Sequence, residues 1–370
     1  MKLVIFGLTI SSSWGNGHAT IWRGLCRALS RRGARIVFFE RDVPYYSAHR
    51  DLSELPGGEL DLYSTWEAVR SRAQRQLADA DVAIVSSYCP DGVAASELVL
   101  ASRALRIFYD LDTPVTLEHL ERGEPLSYIG ARGLADFDLV LSYTGGAALN
   151  ELQRRLGARR VCALYGSVDP ALHSPCAPVD DFRADLSYIA TYAADRQQAL
   201  ATLFLTPARR SRGRRFLIAG AQYPADFPWM ENIFFVRHVP PGAHAALYCS
   251  SRLTLNLTRA AMRRMGYCPS GRLFEAAACG TPVISDGWDG LDHFFTPGSE
   301  ILLAESTEDV LGALALSDET LAAIGSRARA RALEEHSAEC RARDFEAAIA
   351  SANQHSSSEV MQAVAEAARG

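Results

Sequence analysis

The sequence predicts an α/β protein of two Rossmann-like, doubly wound domains, each built on a parallel sheet. Three observations predict it. Apolar runs of strand length alternate with helical segments along most of the 370 residues, the signature of βαβ units. The rhythm breaks once, near the middle, in a stretch rich in Pro, Ser and Asp, and restarts behind it. The chain also exceeds the roughly 100 to 200 residues of a single domain.

The elements follow in order. "KLVIFGL" (Lys2 to Leu8) reads as a buried strand, "TISSSWGNGH" as a loop, and "ATIWRGLCRALSRRG" as a helix. In that helix Ile21, Leu25, Ala28 and Leu29 recur at helical spacing and Gly33 offers a C-cap. "ARIVFFE" is the second strand, which completes a βαβ unit and implies a right-handed crossover. "DVAIVSS", "LRIFYDLD", "FDLVLSYT" and "RVCALYG" continue the sheet, so residues 1–166 form the first domain. "SVDPALHSPCAPVDDF" lies in a linker over residues 167–183. The second domain, residues 184–340, supplies "DLSYIATY", the helix "DRQQALATLFLTPARR", then "RRFLIAG", "NIFFVRHV", "SRLTLNLT", "TPVISD" and "EILLAES". Residues 341–370 are expected as a C-terminal helix and a tail that is mobile or docks late. Ligands of open parallel sheets bind beyond the carboxyl ends of the strands, and two such domains facing each other make a central cleft.

Composition narrows the function. The apolar fraction of 48% and charged fraction of 22% are those of a soluble globular protein, and a net charge of -5 offers no basic footprint for nucleic acid. Lys2 is the single lysine, so any phosphate is gripped by Arg, backbone N–H or hydroxyl groups. The eight cysteines are scattered, with no Cys-x-x-Cys and no His at zinc-ligand spacing; neither a disulfide framework nor a bound metal is expected. No signal peptide and no apolar run of about 20 residues is seen, which predicts a cytoplasmic protein without a transmembrane segment.

The most informative stretch is "CPSGRLFEAAACGTPVISD", Cys268 to Asp286. It reads as a helix opening near Ser270, Gly271 and Arg272, a Gly280 cap, and a return strand. A helix start is a site for an anion such as a diphosphate, which Gly271 lets approach and Arg272 can grip bidentately. Glu275, one turn further in, can accept two hydrogen bonds from a ribose or merely complement the helix dipole.

"GRLFEAAACGTPVIS", followed by "GWDGLDHFFTPGSEILLAES", resembles the donor-binding segment of GT-B glycosyltransferases, and more narrowly is similar to the CgeB-like group named from spore maturation proteins. "FGLTISSSWGNGHA", "YGSVDP…HSP" and "LIAG" also sit where that fold would have them. The resemblance implies that Glu275 holds the nucleotide ribose and that Ser270, Gly271 and Arg272 meet the diphosphate. Retaining members often carry another Glu eight positions earlier; here that position is Tyr267, so a retaining mechanism is not implied.

In the first domain "GNGH" resembles the Gly-His pair of inverting GT-B enzymes, whose His takes a proton from the acceptor or aligns it. His18 has that role by resemblance, or only caps its helix; Gly15, Asn16 and Gly17 line its loop. Asp110 and Asp112 of "YDLDTPVT" are candidates for the base or for an acceptor-hydroxyl ligand, against turn capping, and their Asp-x-Asp spacing is not read as a metal motif. Tyr143, Gly145 and Gly146 of "SYTGG" suit a loop lining the same cleft. In the second domain Arg196 is the basic residue that would clamp the donor, Asn256 and Tyr267 would shape the base and phosphate pocket with Arg259, Arg263 and Arg264, and Asp289 and Gly290 would face the donor sugar. The expected function is transfer of a sugar from a nucleoside-diphosphate sugar, as co-substrate, to a hydroxyl of a small-molecule, glycan or glycoconjugate acceptor, with no required cofactor or metal. A nucleotide-sugar epimerase of the same fold and a non-catalytic nucleotide-sugar-binding protein are the alternatives.

Overall fold

A computed structural model of the protein describes residues 1–367, with side chains described through residue 354. The chain divides into two compact units, Met1–Tyr165 together with the residues from Glu339 on, and Gly166–Ala338. The C-terminal segment, expected to stand apart, therefore groups with the first unit. It forms a helix, Ala338–Ala367, whose Glu346 accepts from the Arg32 guanidinium at 2.6 Å. The tail expected from Asn353 on lies almost wholly outside the residues whose side chains are described. The stretch 167–183, read as a linker, counts with the second unit.

The first unit carries seven strands: β1 (Lys2–Gly7), β2 (Arg35–Arg41), β3 (Gly58–Tyr63), β4 (Val82–Ser86), β5 (Leu105–Asp110), β6 (Leu139–Ser142) and β7 (Val161–Ala163). Their order is β3-β2-β1-β4-β5-β6-β7, and the neighbours pair in parallel. The inner strands read as continuous apolar runs are buried on both faces, and in β1 every residue is buried, whereas the edge strand β7 is only half-buried. β3, "GELDLY", was not anticipated. As an edge strand it is only partly buried and alternates polar with apolar residues, so it gives no continuous run.

The second unit carries six: β8 (Ala184–Ile189), β9 (Phe216–Gly220), β10 (Ile233–Arg237), β11 (Ser251–Asn256), β12 (Val283–Ser285) and β13 (Leu302–Leu303), in the order β10-β9-β8-β11-β12-β13. Each unit has its own core: Phe6, Phe39, Val85 and Phe108 pack in the first, Leu186, Phe204, Phe216 and Ile284 in the second. The expected helix "DRQQALATLFLTPARR" forms, but passes through a π-helical turn at Ala201–Leu205 before Pro207, whose missing N–H cannot continue the α ladder. In each sheet the order reverses once, at β1/β4 and at β8/β11, which sets a crevice at the carboxyl ends of those strands.

Candidate functional site

In the first unit the crevice gathers the ends of β1, β4 and β5. The loop after β1 is held by Glu40, the buried end of β2's apolar run. Its carboxylate accepts from the Ile10 and Ser11 amides at 2.7 and 2.9 Å and from the Thr9 and Ser11 hydroxyls at 2.9 and 2.6 Å. Four donors on one carboxylate repay its burial and fix the loop. Gly15 turns this loop at φ 67°, where a Cβ would also meet the Tyr45 hydroxyl at 2.8 Å. Asn16 closes it: its Oδ1 accepts from the Ala19 amide at 3.3 Å, and its Nδ2 donates to Ser12 and Trp14 carbonyls. Asn16 thus caps the helix His18–Arg31 and is taken up by the chain itself. Gly17 is the residue before that helix, which opens at His18.

His18 is buried, and its Nε2 lies 2.7 Å from Asp112 Oδ2. Asp112 sits at the head of the helix Thr113–Glu121, behind β5, and is partly exposed. An Nε2–H donated to Asp112 leaves Nδ1 unprotonated, and Nδ1 is buried with no hydrogen-bond partner. The Tyr88 ring meets the imidazole edge-on at 6.0 Å. Asp110 departs from expectation. It is 0% exposed, its Oδ1 accepts from the Asp112 amide and the Thr116 hydroxyl at 3.1 Å each, and burial pushes its carboxyl up to about 6. Sitting inside the unit, it shapes the turn that carries Asp112 and is not exposed to a ligand. Tyr143 is buried behind β6, Gly145 lies where a Cβ would be 2.0 Å from the Tyr165 hydroxyl, and Gly146 opens the helix Ala147–Leu156.

In the second unit the helix Gly271–Ala278 starts as the sequence indicated, with Ser270 at its N-cap. Ser270 makes no capping bond; its hydroxyl accepts from Arg272 Nε at 3.0 Å, so the first amides keep no side-chain partner at the cap. Arg272 also donates from Nη1 to the Ile189 carbonyl at the end of β8, at 3.0 Å. Arg196 donates to the Thr191 carbonyl just beyond, and its buried Nε has no partner. Burial lowers the Arg196 pKa, and the charge of Arg272 adds in the same direction. Neither arginine pairs with a carboxylate among the described residues. Two guanidinium groups, a helix start and the crevice of β8 and β11 thus meet in one place.

Glu275 stands one turn inside that helix, its side chain 13% exposed. Oε2 accepts from the Tyr248 hydroxyl at 3.2 Å and lies 3.5 Å from His244 Nδ1 and 4.0 Å from His173 Nε2. His244 and Tyr248 are four residues apart on the helix Pro241–Cys249 and so share a face. His173 comes from a turn in the stretch read as linker, where its amide donates to Asp169 O at 2.9 Å. Burial pushes the Glu275 carboxyl up, but His173, His244 and Tyr248 outweigh it and hold it at about 2. Burial also lowers His173, whereas for His244 the carboxylate overcomes burial and raises it. The second oxygen, Oε1, lies on the Gly271 side, 3.9 Å from where a Gly271 Cβ would stand.

Tyr267, read with the base and phosphate pocket, packs against Asp289 and Gly290, read with the donor sugar. The Tyr267 amide donates to Asp289 O at 2.7 Å, and its ring lies against Gly290, where a Cβ would be 2.6 Å away. Asn256, the last residue of β11, is buried and donates to the Ser285 hydroxyl at 3.0 Å, which ties β11 to β12. Arg263 is committed to Glu305 and Arg259 to Asp195, so these two are not spare cations. Reasoning from sequence missed Glu40, Tyr88, His173, His244 and Tyr248. Glu40 had a signal, a carboxylate closing an apolar strand, and His173 stands in the "HSP" of the linker stretch, for which no role was read.

Residues 196–347 match a family described as glycosyl transferase-like. No curated protein sequence matches the chain. Among solved structures, sucrose-phosphate synthase from Thermosynechococcus elongatus superposes with a TM-score of 0.66 at 14% identity, over 93% of this chain and 97% of that one. HepE of Anabaena, in complex with UDP-glucose, gives 0.66 at 12% identity, over 95% and 100%. The catalytic domain of starch synthase IV from Arabidopsis thaliana, bound to ADP and acarbose, gives 0.63 at 11%, over 95% and 99%. The chain therefore has the GT-B fold, and residues 196–347 are similar to the glycosyl transferase-like family.

Proposed function

We propose that this chain is a glycosyltransferase that moves a sugar from a nucleoside diphosphate to an acceptor hydroxyl. The observation that carries the reading is the pair Arg196 and Arg272, two arginines that form no ion pair among the described residues, beside an uncapped helix start. Such a place favours two or more negative charges, as a diphosphate has. Glu275 is held ionised beside it, suited to accept hydrogen bonds from ribose hydroxyls. UDP-glucose bound to HepE and ADP bound to starch synthase IV support a nucleoside diphosphate as the ligand class.

In transfer, the bond between sugar C1 and the diphosphate oxygen breaks and its electron pair leaves with the diphosphate. The developing charge falls to Arg196, Arg272 and the helix amides, which are oriented before the reaction and need no metal for this task. The acceptor oxygen bonds to C1 and its proton passes to the His18–Asp112 pair, of which Asp112 is the partly exposed member. Asp289 and Gly290 are assigned to the donor sugar side, and Tyr267, which packs on Gly290, to the base and phosphate pocket. The narrower CgeB-like grouping rests on Gly271 to Asp286, and the cytoplasm is the proposed location.

The test follows UDP- and ADP-sugars by NMR, with protein, with and without a panel of glycan and small-molecule acceptors. Nucleoside diphosphate release that depends on acceptor is expected. Conversion of the donor with no acceptor would instead indicate an epimerase, and binding without turnover a non-catalytic protein.

A further inference from the structure

We propose that His173, His244 and Glu275 form a binding site for a divalent transition-metal ion, of which Zn2+ suits the donor set best. Their ligand atoms all lie within 4.8 Å of one another, with Glu275 Oε2 3.5 Å from His244 Nδ1 and 4.0 Å from His173 Nε2. A tetrahedral ion with bonds of about 2.0–2.1 Å needs ligand separations of about 3.3 Å, so small side-chain shifts close the site.

The tautomers fit. His244 Nε2 lies 3.0 Å from the Val239 carbonyl, so that nitrogen carries the proton and Nδ1 presents a lone pair to Glu275. A metal-bound imidazole is oriented in this way by a carbonyl on its far nitrogen. His173 is 5% exposed and neither of its ring nitrogens has a hydrogen-bond partner. A buried imidazole without partners is costly unless something fills the space its nitrogens face. Two imidazoles and a carboxylate are the three-ligand set of zinc sites with an open fourth position.

The spacing of these residues along the chain gave no zinc pattern because they come from a turn and two separate helices. A bound ion would tie that turn, which carries His173, to the helices Pro241–Cys249 and Gly271–Ala278. It is given no step in sugar transfer. The site needs no nucleotide, so it stands or falls separately from the donor reading, which nucleotide titration tests.

The experiment uses the untagged full chain, stripped with a chelator and titrated with ZnCl2 by calorimetry, with Co2+ as a spectroscopic probe. Nine histidines give some background binding, so wild type is compared with His173→Gln/His244→Gln. One tight equivalent is expected in wild type and lost in the variant by 100-fold or more, together with a tetrahedral Co2+ absorption band seen only in wild type. Equal zinc uptake and equal Co2+ spectra in the two proteins would overturn the site. If the double variant fails to fold by circular dichroism, His173→Gln and His244→Gln are read singly by the same criteria. In that case a wild type with no tetrahedral Co2+ band would overturn it as well.

Discussion

The Nε2 of His18 and the Oδ2 of Asp112 lie 2.7 Å apart, joining the helix that follows β1 to the turn that follows β5. A histidine so held donates Nε2–H to the carboxylate, and its Nδ1 is buried without a hydrogen-bond partner. His18→Ala is expected to lower kcat by about 10²- to 10⁴-fold, the range of a lost general base. Asp112→Asn should lower it as well, while donor affinity stays within twofold in both. Steady-state kinetics beside donor titration checks this; unchanged kcat in His18→Ala would remove the base.

Arg196 and Arg272 each donate to a backbone carbonyl, and neither forms an ion pair with a carboxylate among the described residues. Arg272→Ala is expected to weaken nucleoside diphosphate binding by about 1.5–3 kcal/mol, the scale of hydrogen bonds to charged groups. Nucleoside without phosphates should bind both proteins alike. Arg272→Lys should rescue only in part, because an ammonium lacks the planar fork. Calorimetry with the matched pair of ligands reads out the difference.

Asp110 predicts a pH dependence of stability. Its folded pKa, about 6, is raised above the ordinary 3.8 by burial. Below both values the carboxyl is neutral in either state and the group carries no penalty. As pH rises from about 4 to about 6, the unfolded chain gains by ionising while the folded chain does not, so stability falls by up to about 3 kcal/mol. Above about 6 the loss is complete. Urea unfolding across pH 4 to 7 should show a shallower decline for Asp110→Asn than for wild type; parallel curves would refute the assignment.

Gly290 combines φ 85° with a Tyr267 ring 2.6 Å from its missing Cβ. Gly290→Ala is therefore expected to cost about 1–3 kcal/mol and to lower Tm by several degrees in thermal unfolding. Gly312, with nothing within 4 Å of a Cβ, serves as the control for Gly→Ala at an open position.

How much of this was legible depended on whether a residue's partners were local. The helix start at Ser270 to Arg272, with Glu275 one turn in, was readable because a helix start and its first turn are set by adjacent residues. The place of His18 at a helix start was readable from its Gly-rich loop. Glu40 serves that loop from the next strand, and His173 and His244 reach Glu275 from other elements, so no spacing announced them. β3 escaped because a partly buried edge lacks the continuous apolar run of the inner strands. Asp110 and Asp112, two residues apart in one motif, had to be separated by burial alone: one closes a turn inside the unit and the other meets a histidine.

The central claim is that the start of the helix Gly271–Ala278 holds a nucleoside diphosphate, with Glu275 on its ribose. The most direct measurement is calorimetric titration of UDP and ADP into wild type, Glu275→Gln and Arg272→Ala. Micromolar binding of one nucleotide is expected, weakened at least tenfold in each variant, and by loss of the diphosphate contribution in Arg272→Ala. Absence of binding to wild type, or equal binding to all three proteins, would contradict it.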